Sequence, residues 1–96
     1  MAKEPNPALS LRSLPNVGKV TAAKLERIGI TSREQFLAQD PYEVFDRLRR
    51  EVDSTLCRCA LASVVGAKLG VPWHTVTKAA AREYEKRHPD HTWGPC

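Results

Sequence analysis

Ninety-six residues make one small domain with a thin core. Apolar residues at 42% and charged residues at 27% mark an ordinary globular chain rather than a disordered one, and no apolar run approaches the ~20 residues of a membrane span. Fifteen Lys and Arg against eleven Asp and Glu leave a net charge of +4, which favours anionic partners without requiring them.

Residues 1–7 hold two prolines and no periodicity, and read as a lead-in segment. The N-terminal Met1-Ala2-Lys3-Glu4-Pro5 has no secretory apolar stretch, so the expected location is the cytoplasm. A first short helix is predicted over Ala8–Leu14, with Leu11 and Leu14 on one face. Pro15 ends it, and Pro15-Asn16-Val17-Gly18 makes a tight turn from the residues that best tolerate positive φ. A second helix follows from about Gly18 to Ile28, burying Ala22, Leu25 and Ile28, with Gly29 closing it.

Both Thr31…Glu34 and Ser32…Gln35 fit a capping box, so a third helix starts there and buries Phe36 and Leu37. Asp40-Pro41-Tyr42-Glu43 is a helix start with Asp as N-cap and Pro at the first position. The fourth helix turns Val44, Phe45, Leu48 and Val52 inward. Asp53 or Ser54 is expected to cap a fifth helix over Leu56–Leu69, apolar at Cys57, Ala60, Leu61 and Val64 and stopped by Gly70. A sixth runs from Pro72 to Arg87, on whose charged surface Glu83 and Tyr84 read as solvated. No segment alternates as a strand does. The fold class is all-α: a compact orthogonal bundle of five to six short helices, with a domain over 8–88 and a tail over 89–96.

Cys57 and Cys59 lie two apart in a helical pattern and point to different faces, so they cannot easily bridge. Cys57, Cys59 and Cys96 are therefore expected as free thiols. His88, His91 and Cys96 offer zinc no fourth ligand, so no metal and no cofactor is expected. The three histidines have no nucleophile motif around them, and no enzymatic activity is expected. The bunched cations Arg47-Arg49-Arg50 and Lys86-Arg87 read on charge alone as solvated faces.

The stretch Leu14-Pro15-Asn16-Val17-Gly18-Lys19-Val20-Thr21-Ala22-Ala23-Lys24-Leu25 resembles a helix-hairpin-helix motif. The resemblance implies that Val17 plugs the loop into the core while Gly18 lets a phosphate reach the backbone. The amides of Gly18, Lys19 and Val20 stand free at a helix N-terminus, where they and the helix dipole attract anions, and Lys19 adds a mobile charge. The expected phosphate-binding set is Asn16, Val17, Gly18, Lys19, Val20 and Lys24. Asn16 replaces the motif's first loop glycine; it keeps the turn but puts a side chain where the phosphate approaches. A plain helical corner is the alternative reading of the same loop.

Three further stretches complete a wider likeness. They are Ile28-Gly29-Ile30-Thr31-Ser32-Arg33-Glu34, then Asp40-Pro41-Tyr42 with Arg47-Leu48, and Gly66-Ala67 followed by Gly70 and Trp73. From Leu14 to about Arg87 the chain resembles the C-terminal domain of the TfoX (Sxy) competence regulators and the related pathogenicity-locus proteins. That likeness implies a helical, non-catalytic domain in transcription regulation or competence. The expected function is weak, sequence-tolerant DNA binding; the alternative is a module docking on a transcription regulator protein. Gly70-Val71-Pro72-Trp73-His74-Thr75-Val76 also admits a helix-turn-helix reading. Against it, Ala79-Ala80-Ala81 stands where base-reading side chains would be, and Trp73 is bulky enough to be a core anchor.

Overall fold

The computed structural model describes residues 10–93, which form five α-helices and two short 3-10 turns, with no strand among them. Helix α1 spans Lys19–Arg27, α2 Arg33–Leu37, α3 Pro41–Glu51, α4 Arg58–Leu69 and α5 Thr77–Arg87, with 3-10 turns at Leu11–Ser13 and Trp73–Thr75. The expected all-α bundle is the observed one. The lead-in over 1–7, the start of the first expected helix and Cys96 lie outside the described residues.

The local signals explain most boundaries. Leu11 and Leu14 are both buried, although only a 3-10 turn links them before Pro15. Gly29 and Gly70 take the left-handed conformation that closes α1 and α4. Ser32 Oγ accepts from Gln35 N at 3.1 Å, so Ser32 is the N-cap of α2, while Gln35 reaches one residue past it to the Thr31 amide at 2.7 Å. Asp40 accepts from Tyr42 N at 2.9 Å, with Pro41 opening α3.

Two apolar clusters share α3 and α4. The first joins Leu11, Leu14, Val17, Leu25, Ile30 and Phe36 to Val44 and Leu48 of α3 and Val64 and Ala67 of α4. The second sets Phe45 of α3 against Leu61 and Val65 of α4 and Ala80 and Tyr84 of α5. Leu25, Phe36, Phe45, Leu48, Leu61 and Val64 are all buried, as the periodicity predicts.

Five expectations are corrected. Neither Asp53 nor Ser54 caps α4: the Asp53 carboxylate instead holds the amide and hydroxyl of Thr55, the chain turns there, and extended Cys57 stands as the N-cap. Cys57 takes part in a disulfide; the spacing argument excluded only Cys59 as its partner, and Cys59 is free. The sixth expected helix is split, because the 3-10 turn after Pro72 ends at Val76 before α5 begins. Tyr84 is not solvated but 1% exposed, its ring edge-on to Phe45 at 5.3 Å. Burial pushes its hydroxyl above the usual phenol range. Trp73 is no core anchor: it is 39% exposed.

The core place is taken by Trp93, which packs 5.2 Å from Tyr84 and 6.1 Å from Phe45. His88 and His91 also stand edge-on to Tyr84, at 4.2 and 5.0 Å. The stretch set apart as a tail thus packs on the second cluster at least as far as Trp93.

Candidate nucleic-acid interface

The hairpin loop is built from inside outward. Val17 is buried in the first cluster, as a plug should be, and its amide donates to Leu14 O at 3.4 Å. Asn16 has φ 66°, the one non-glycine residue with positive φ among those described. This reverses the chain so that Gly18 becomes the N-cap of α1.

Asn16 does not crowd the loop's outer side. Its Nδ2 donates to Val71 O at 2.9 Å and more weakly to Ser63 O at 3.5 Å, while Oδ1 accepts from Trp73 N at 3.0 Å. The side chain clasps the hairpin to the turn after α4. Gly66 makes room for it: a Cβ there would lie 2.7 Å from both Asn16 Nδ2 and Val71 O. Sequence reasoning missed this clasp. One signal for it existed, since a glycine inside a helical pattern costs about 1 kcal/mol against alanine and needs a packing reason.

Outside the clasp, α1 begins bare. Side chains cap α2 and α3, but no side chain caps α1. Among the described residues no acceptor meets the amides of Gly18, Lys19 and Val20. Gly18 has open space where a Cβ would stand, and Lys19 is exposed. Val20 is 68% exposed beside them. An anion can therefore reach three amides, the positive end of the helix dipole and one ammonium group without displacing protein atoms.

Lys24 does not join this group. Its Nζ lies 2.9 Å from Asp53 Oδ2, tying α1 to the α3–α4 link. The Thr55 hydroxyl and then Lys24 hold the Asp53 carboxyl far below the usual range, so the carboxylate stays charged through neutral pH. Of the six expected residues, Gly18, Lys19 and Val20 face outward together. Asn16 and Val17 support the loop from within, and Lys24 belongs to an ion pair.

Three of the five bunched cations are compensated too. Arg47 meets Glu51 and the Ile28 carbonyl, Arg50 meets Asp46, and Arg87 bridges Asp40 and Glu83. The Arg87 guanidinium holds the Asp40 carboxyl below its ordinary value. Among the described residues no three His, Cys, Asp or Glu side chains gather as metal ligands, and no helix is long and apolar enough to cross a membrane.

Residues 4–69 match the model of the Cdd1 pathogenicity locus family, more than half of the chain. The chain belongs to this family. Two crystal structures of uncharacterised proteins from Listeria monocytogenes share its fold. One is 26% identical with a TM-score of 0.72, covering 86% of this chain and 98% of that one. The other is 33% identical with a TM-score of 0.70, covering 82% and 96%. The mitomycin resistance protein McrB of Streptomyces lavendulae is 39% identical over 57 residues, 59% of this chain. The chain spans about half of that protein, 54% of its length. The family match ends at Leu69, so two partners of the Asn16 clasp, Val71 and Trp73, lie beyond it.

Proposed function

We propose that this Cdd1-family domain is a non-enzymatic, sequence-tolerant DNA-binding module that holds backbone phosphate at the Gly18–Val20 turn. The observation that carries the reading is the uncapped start of α1, with three unpartnered amides and the exposed Lys19 on a loop fixed by Asn16. The likeness of Leu14–Leu25 to helix-hairpin-helix motifs supports it. The wider likeness to the TfoX C-terminal domain supports a role in transcription regulation or competence. The expected compartment for that role is the cytoplasm. A single loop makes few phosphate contacts, so the expected affinity is of the non-specific kind, ~10⁻⁴–10⁻⁶ M.

A second reading, docking on a transcription regulator protein, is favoured by the apolar exposure of Val20 and Leu69, 68% and 63%. Titrating duplex DNA over a range of salt separates the two. Lys19→Gln is expected to weaken all duplexes alike and to lower the slope of log K against log salt by about one unit. Unchanged affinity and slope in a folded Lys19→Glu protein would refute the phosphate reading.

A further inference from the structure

We propose a second nucleic-acid site: the groove between α4 and α5, flanked by Trp73, binds single-stranded DNA. The groove has a volume of about 800 Å³. Arg58 at the start of α4, His74 of the 3-10 turn and Lys78 and Arg82 of α5 line it, against one carboxylate, Glu85. All four basic residues are exposed. None of Arg58, Lys78 and Arg82 is paired with a carboxylate among the described residues.

That surplus separates this groove from the one along α3. There, Asp46 and Glu43 stand among the arginines, and Arg47, Arg50 and Arg87 each meet a carboxylate. Lys78 and Arg82 are four apart on one helix, where like charges repel. An anion lying along the groove relieves that repulsion. The alanines of the helix-turn-helix reading fit this arrangement: Ala80 and Ala81 are buried against the core, which turns Lys78 and Arg82 outward.

Trp73 makes the anion a nucleic-acid strand. Its indole is 39% exposed and stands edge-on to the groove-lining His74, with ring centres 5.9 Å apart. A cationic groove that follows phosphates, next to an aromatic platform on which a base stacks, is the pattern by which proteins hold single strands. Duplex bases are already stacked on one another and leave such a platform idle. The Trp73 amide is fixed by Asn16 Oδ1, so the platform is anchored to the hairpin loop through one side chain. The inference shares with the hairpin reading only the class of ligand, and it is tested apart from it.

The test is a titration of a labelled 20-mer of deoxythymidine and of a blunt duplex, with polyglutamate as competitor. The variants are Trp73→Ala, Trp73→Phe, the double variant Lys78→Gln/Arg82→Gln, and Lys19→Gln. All change exposed side chains, and circular dichroism checks that each is folded. Trp73→Ala is expected to weaken strand binding roughly five- to hundredfold, the worth of one stacked base, and Trp73→Phe to restore most of it. The double variant is expected to weaken the strand and flatten its salt dependence by about 1.4 units, ~0.7 for each lost phosphate contact. Both groove variants should leave duplex affinity within about twofold.

Strand affinity unchanged in both groove variants overturns the proposal, as does a wild-type protein that binds no strand. Polyglutamate competing as well as the strand at equal charge overturns it in favour of an acidic protein partner. Duplex binding indifferent to Lys19 removes the hairpin reading alone and leaves the groove standing.

Discussion

Replacing Asn16 by glycine keeps the positive φ and deletes the clasp, which isolates what the side chain contributes. Two good hydrogen bonds disappear, to Val71 O and from Trp73 N. At about 0.5–1.5 kcal/mol net for each, the loss is ~1–3 kcal/mol. Val71 is half-buried and Trp73 exposed, so water takes up part of the freed groups, and the lower half of that range is expected. Asn16→Ala loses the same bonds and adds the cost of a Cβ in the left-handed region, a further ~1–2 kcal/mol. Gly66→Ala approaches the clasp from the other side. In an open helix that change would gain about 1 kcal/mol; here the new methyl meets Asn16 Nδ2 and Val71 O at 2.7 Å, and the net effect is destabilising. Urea unfolding followed by circular dichroism measures all three. An Asn16→Gly protein within ~0.3 kcal/mol of wild type, or a Gly66→Ala protein that gains its full helical advantage, would refute the clasp.

Phe45→Ala is expected to cost about 3–5 kcal/mol in the same assay, since it empties the second cluster beneath Tyr84 and Trp93; a loss below ~1 kcal/mol would misplace the core. Burial, and then Arg49, hold His91 below its usual value. Below pH ~6.5 the unfolded chain therefore binds a proton that the folded chain resists, and stability falls as pH drops from 7 towards 5. Thermal midpoints across that interval should show the decline in wild type and its loss in His91→Asn; a flat wild-type profile would contradict it. A further decline is expected below pH ~4, where the depressed carboxyls of Asp40 and Asp53 are forced to protonate.

Local chemistry made much of the fold legible. Ser32, Asp40, Pro41, Gly29 and Gly70 act within a few residues of where they stand, so their positions alone place helix ends. The period of Val44, Phe45 and Leu48 gives an inward face for the same reason. The errors arose where a partner lies far along the chain. Asp53 reads as a cap, but beside the neighbouring Thr55 it is held by Lys24 from α1. Tyr84 reads as solvated because its neighbours on α5 are charged, whereas the rings that cover it come from positions 45 and 93. The candidate loop follows the same rule. Its outward residues Gly18, Lys19 and Val20 were readable from the turn itself, while the inward use of Asn16 depends on residues 63, 71 and 73. The cations at 58, 78 and 82 form no run in the sequence and meet only across the α4–α5 groove.

The clasp joins positions 55 and 57 residues apart, and this sets an order of events during synthesis. The loop that begins near residue 15 leaves the ribosome early, yet its final shape waits for Val71 and Trp73 to follow. Until then Pro15–Gly18 is a turn without its brace, and the amides of α1 are not yet held in one orientation. A chain released after Leu69 would contain the whole family-matched segment and still lack Val71 and Trp73, which make the two shorter bonds to Asn16. The final shape of the loop is therefore decided by the last third of the polypeptide, although the loop itself lies in the first.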